Sequence, residues 1–253
     1  MRAFFFAAGD AMPDFKSFNL EHIIEIYVSL ERRLDFNSLF DNEPVRDEKI
    51  LLEALMKQFN HKVDVFEEDL YENLTTLGRA RDLYSLCFII HGESKKRVEI
   101  WINTHMLPDG ATLVNYCWKR FCLIKEACQV IIREEFRDKG WDYPDASTRE
   151  ELKTLIQNLV KFKFSMSDFE NPDYPLDTKV ENAAEILAIL LLYPIDRMVE
   201  DQKKHENSDS AYTNIHFLIA EKYKVPERYV ELLFSSEDLQ RVFSEIRLKR
   251  DDV

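Results

Sequence analysis

From Phe18 to Arg33 the apolar residues fall at helical spacing, with Leu20, Ile23, Ile24, Tyr27 and Leu30 on one side, and predict an amphipathic helix. A polar stretch containing Asp and Asn near 35–46 ends it. Lys49–Phe59 predicts a second helix, with Ile50, Leu52, Ala54, Leu55 and Phe59 crowding one side. The period then shortens. Tyr84–His91 (YSLCFIIH) and Arg97–Asn103 (RVEIWIN) flank the polar turn GESKK, the form of a β-hairpin. In the second strand Val98, Ile100 and Ile102 alternate with Glu99, Trp101 and Asn103, so Trp101 is expected on the exposed side. Pro108-Asp-Gly makes a turn beyond it.

After Ala111 the pattern is helical almost to the end. Thr112–Phe136 predicts a long helix with Phe121, Ile124, Cys128 and Ile131 on its apolar face. The loop KGWDYPDA follows, and Ser147 with Glu150 forms a capping box for a helix to about Phe164. NPDYP interrupts the chain, then Thr178 with Glu181 forms a second box opening a helix through Leu192. That helix is apolar nearly all round and is expected at the centre of the molecule. DQKKHENSDS at 201–210 reads as a solvated loop. Two short helices surround KYKVPERYVELLF, with Pro226 in a first turn, and a last helix follows Ser235. The expected fold is α+β, mostly helical, with a small antiparallel sheet (hairpin 84–103). Residues 1–17 are expected as a loosely ordered extension to a single domain at 18–253.

Composition narrows the functions. With 45% hydrophobic residues, 253 positions can bury a sizeable core. The five glycines are too scattered for a phosphate-cradling loop or a dinucleotide turn. A net charge of −13 disfavours a nucleic-acid partner, which is held by clustered cations. Four cysteines (Cys87, Cys117, Cys122, Cys128) contain no C-x-x-C pair and read as buried thiols. The apolar run near the start is too short for a signal peptide, and no segment suits a membrane span. A cytoplasmic protein without a membrane partner is the expectation.

Three stretches, in this order, resemble the ImmA/IrrE family of zinc metallopeptidases: RVEIWIN at 97–103, RFCLIKEACQVII at 120–132 and ENAAEILAILLLYP at 181–194. ILLEALMKQFNHKVDV upstream and FLIAEKYKVPERYVELL downstream are similar to the family's opening and closing helices. The resemblance covers roughly 50–235 and implies a zincin-like helical core, with the helix at about 148–164 as an insertion. Family members act on partner regulators, often in phage, mobile-element or stress circuits, so a protein partner is implied.

The family's metal helix carries two histidines four residues apart, with a glutamate between them that activates the zinc-bound water. Here the corresponding positions hold Lys125, Glu126 and Gln129, and the third ligand position matches Glu181. Lysine repels a divalent cation and glutamine is a weak ligand, so Glu126 survives only as a vestigial base position. None of the six histidines (His22, His61, His91, His105, His205, His216) lies four residues from another, and no alignment restores the motif. No zinc and no other cofactor is expected.

Two readings of Lys125 stand open: it pairs with Glu126, Glu181 or Glu185 in the former metal cavity, or it points to solvent while apolar residues close the cavity. Cys122 with Glu126 is an i, i+4 pair better read as a thiol beside a carboxylate than as half a metal site. His105 is a weak candidate to approach the site. The leading expectation is a pseudopeptidase that binds a protein through RVEIWIN as an edge strand, with Trp101 and Asn103 on the binding side. A metallo-endopeptidase with atypical ligands is the alternative. A DNA-binding regulator using the helix-turn-helix-like IAEKYKVPERYVELLF ranks last, since Glu227 and Glu231 flank Arg228 on its second helix.

Overall fold

A computed structural model describes residues 20–40, 43, 45–69, 84–90, 96–107, 112–137, 176–206 and 214–251. The extension at 1–17, most of the GESKK turn, the Pro108–Gly110 turn, the segment 138–175 with its expected helix at 148–164, and the end of the 201–210 run lie outside them.

Helix α1 (Leu20–Leu34) buries Ile23, Ile24, Tyr27 and Leu30 as its periodicity requires. Asp35 stops it at a positive φ of 41°, and α2 (Phe36–Phe40) follows where only a polar break was expected. That short helix exists because Phe36 and Phe40 are both buried and the Arg46 guanidinium lies 4.3 Å from the Phe36 ring centre. Arg46 also donates to the Leu191 carbonyl at 2.6 Å, joining this corner to the central helix. In α3 (Glu48–Gln58) the Asp47 carboxylate accepts from the Lys49 and Ile50 amides, an N-cap that offsets two orphan donors.

Asn60, at φ 55°, then turns the chain into β1 (His61–Glu68), a strand where the resemblance implies part of an opening helix. The sheet is completed by β2 (Ser85–Ile90) and β3 (Lys96–Asn103), in the order β1-β3-β2. β2 and β3 are antiparallel, as the hairpin requires, with Cys87 opposite Ile100. β1 joins the other side of β3 in parallel, Val65 opposite Ile100. The sheet is therefore mixed rather than wholly antiparallel, and β3 is its central strand, not an edge. Both sides of the RVEIWIN backbone are used for sheet hydrogen bonds, which removes it as a site of strand addition.

The inner face of β3 (Val98, Ile100, Ile102) is buried toward α4 (Leu113–Arg137). Trp101 on the outer face is half-buried, not exposed, because its ring stacks on Phe66 with centroids 4.5 Å apart. α5 (Leu176–Leu192) packs along α4, and Ala183–Leu192 is buried throughout, the central helix that its composition predicts. Thr178 sits inside α5, and the Glu181 carboxylate reaches another helix instead of closing a capping box. α6 (Ile195–Glu206) takes in the first half of the run expected as a loop, because Met198 and Asp201 are buried and Tyr193 donates to Asp201 at 3.1 Å.

α7 (Ile215–Tyr223), α8 (Glu227–Ser235) and α9 (Glu237–Asp251) close the molecule. Lys224, in left-handed conformation, makes the turn between α7 and α8. The buried Arg120 of α4 holds that turn, its Nη1 donating to the carbonyls of Tyr223 (2.7 Å) and Lys224 (2.9 Å) and its Nη2 to that of Arg46. Among the described residues, no helix is long and apolar enough to cross a membrane.

Candidate functional site

Cys122, Lys125, Glu126, Gln129 and Arg133 fall at spacings of three and four along α4 and so share one side of it. That side faces the inward residues of β2, Ser85 and Cys87, and the turn of α5 that carries Glu181 and Glu185. A helix this apolar could have packed on the sheet through hydrocarbon alone. Instead the contact is polar and almost wholly buried.

The Lys125 ammonium lies at its centre, 2.8 Å from Glu126 Oε1 and 2.8 Å from Glu181 Oε2. Burial alone would pull its pKa down, but the two carboxylates outweigh that and hold it well above the ordinary lysine value. Ser85 Oγ donates to Glu126 Oε1 at 2.6 Å, while Glu126 Oε2 is buried without a hydrogen-bond partner among the described residues. Gln129 bridges the other flank. Its amide nitrogen donates to Glu181 Oε1, and its oxygen accepts from Arg133 Nη2 at 3.2 Å and from the Cys87 thiol at 3.5 Å.

One turn beyond Glu181, Glu185 is buried and accepts from the Tyr229 hydroxyl at 3.1 Å. Burial pushes its pKa up to about 8; Lys125 opposes the rise and Glu181 adds to it. Glu185 therefore holds its proton to higher pH than an exposed glutamate does. Tyr229 is positioned by its ring, stacked on Phe121 with centroids 4.2 Å apart. The thiol of Cys122 is pushed up to about 12 by burial, which makes it inert as a nucleophile.

The structure therefore brings together Lys125, Glu126, Gln129 and Glu181, and of the two readings of Lys125 it has the paired one. Trp101 and Asn103 are not part of the cluster. Trp101 occupies the opposite face of the sheet, and Asn103 is buried with its Oδ1 accepting from the His105 amide at 3.2 Å. His105 is exposed and lies 3.5 Å from Asp69, away from the site. Ser85 and Tyr229 were missed by sequence reasoning. Ser85 had a signal, a hydroxyl on the apolar face of a strand where Cys87 and Ile89 follow it; Tyr229 had none, because nothing local distinguishes it from a core aromatic.

Zinc requires neutral or anionic donors converging on one point. Here an ammonium holds the convergence point, one flanking group is an amide already bonded on both ends, and Glu126 is bonded to Ser85 and Lys125. These residues do not fit a zinc ion. Among the described residues, no three His, Cys, Asp or Glu side chains are grouped so as to hold a metal ion. No protein-family model, curated protein or solved structure matches the chain.

Proposed function

We propose that the chain is a peptidase-like scaffold in which a lysine ammonium has taken the place of a metal ion, and that it acts by binding a protein partner rather than by hydrolysis. The observation that carries this reading is the position of Lys125 Nζ, within 2.8 Å of both Glu126 and Glu181. The resemblance to the ImmA/IrrE peptidases marks positions 125, 129 and 181 as ligands and 126 as the base. Lys125 and Gln129 both bond Glu181, and Lys125 bonds Glu126, so those four positions are mutual neighbours across two helices.

A hydrolytic zinc site needs an open coordination position and a carboxylate free to take a proton from water. Glu126 is buried, its Oε1 committed to Ser85 and Lys125 and its Oε2 shut away from solvent. What remains is the recognition role that the resemblance implies, directed at a regulatory protein. Metal analysis of the purified native protein, with a protease assay on an unstructured substrate, tests this reading. The expected result is substoichiometric zinc and no chelator-sensitive cleavage. One zinc per chain with cleavage that a chelator abolishes would overturn it.

A further inference from the structure

We infer that a cleft between α3, β1 and the first half of α4 binds a neutral aromatic ring carrying one hydrogen-bond donor, the chemistry of an indole or a phenol. The cleft encloses about 330 Å³ and shares no described residue with the charged cluster. It is a second site, and it stands or falls independently of the lysine-for-metal reading.

The cleft follows from how the two helices cover the sheet. α3 packs on β1 and on α4, and α4 packs on β3. Val63 and Val65 both stand on the inner face of β1, opposite Val98 and Ile100 of β3. Val63 packs against the core, yet Val65 is 42% exposed, because the two helices part over this end of the strand. What they leave is floored by hydrocarbon, from Leu52, Val63, Ile102 and Leu123. The ring of Tyr116, 41% exposed, borders it. A flat apolar guest gains from burial on that floor and from contact with the tyrosine ring. Sites for small ligands have this composition and begin at about 300 Å³. Since a cavity of about 150 Å³ holds benzene, this one has room for a bicyclic ring.

Charge and hydrogen bonding narrow the guest further. Among the described residues the cleft is lined by as many acids as bases. Glu67 is bonded to Lys119, and Glu48 lies 3.5 Å from Arg120 Nε. A charged guest would have to break one of these pairs or remain unpaired itself, so a neutral one is favoured. Glu48 also sets the polar contact. The Tyr116 hydroxyl donates to its Oε2 at 3.1 Å, and Arg120 faces that same oxygen, which leaves Oε1 as an acceptor at the cleft. A carboxylate accepts and does not donate, so the guest must bring the donor. An indole N–H or a phenol O–H on an apolar ring meets both conditions.

Titrating the full chain, methyl-labelled at Ile, Leu and Val, with indole and following the methyl shifts by NMR tests the site. The expected result is saturable shifts confined to Leu52, Val63, Val65, Ile102 and Leu123. Binding should be about tenfold or more weaker for 1-methylindole, which keeps the ring and lacks the donor. Glu48→Ala should erase that difference, and Val65→Trp, which sets a ring of its own over the cleft, should abolish the shifts. Melting temperatures check that both variants fold, and the comparison of the two probes on the wild type decides the matter without them. N-acetyltryptophanamide identifies the source of the ring. Saturation at the same methyls assigns the site to an aromatic side chain of a protein, and its exclusion beside bound indole assigns it to a free small molecule. Indole that shifts no cleft methyl up to its solubility limit, or 1-methylindole that binds as tightly as indole, would overturn the proposal.

Discussion

Lys125 Nζ and Glu181 Oε2 lie 2.8 Å apart although 56 positions separate them in the chain. The contact spans two helices and is flanked by Glu126 on one side and Gln129 on the other. A buried group of this kind stabilises little by existing but costs much when one member is removed, because the others are left charged and unpaired.

The same neighbourhood is suited to a designed metal site. Positions 125 and 129 both touch the Glu181 carboxylate, so imidazoles placed there would converge with it. Lys125→His combined with Gln129→His is expected to bind one zinc ion per chain in a calorimetric titration, where the wild type binds none. No gain in zinc affinity would show that the two helices are set at the wrong distance for a metal.

The buried Glu185 gives stability a pH dependence. Its folded pKa of about 8 lies above the ordinary glutamate value of 4.5, so its contribution is fully present below pH 4.5 and is lost as pH rises toward 8. The loss is on the order of a few kcal/mol, since each tenfold difference in proton affinity between the folded and unfolded chain corresponds to about 1.4 kcal/mol. Glu185→Gln keeps an acceptor for Tyr229 and removes the titration. Urea unfolding from pH 5 to 9 should show the wild type losing stability over that span and the variant holding level from this source. Parallel profiles would contradict the assignment.

Arg120 acts as a clamp on the turn between α7 and α8. Its guanidinium donates to three backbone carbonyls from two distant segments, a fan that the single ammonium of lysine does not reproduce. Arg120→Lys is expected to cost about 2–4 kcal/mol, since each hydrogen bond to a charged group contributes roughly 1.5–3 kcal/mol. Hydrogen exchange should show faster opening at Tyr223–Val225 in the variant. An unchanged unfolding free energy would mean that water replaces the lost donors.

Much of the helical architecture was legible in the sequence because it rests on periodicity, which is local. α1, α3, α4 and the central α5 follow from apolar spacing, and the hairpin pair β2–β3 from alternation. β1 was hidden because the charged side chains of HKVDVFEE break the apolar run of a buried strand, leaving Val63, Val65 and Phe66 as its strand-like signal. Its pairing with β3 then decided that β3 is central, a long-range fact with no local trace. The cluster was partly legible, because Lys125, Glu126 and Gln129 share a helix and Glu181 came from a resemblance. Ser85 and Tyr229 complete it through contacts 41 and 44 residues away, from Ser85 to Glu126 and from Tyr229 to Glu185.

Whether the ammonium is what holds the cluster together is decided by the unfolding free energy of Lys125→Met, measured beside wild type and beside Lys125→Met/Glu126→Gln. If Lys125 neutralises two carboxylates in the interior, the single variant loses about 3–5 kcal/mol. The double variant should recover a measurable part of that, because it no longer buries an unpaired charge at 126. A single variant as stable as the wild type would show that Glu126 and Glu181 need no counter-charge from Lys125, and the lysine-for-metal reading would fall.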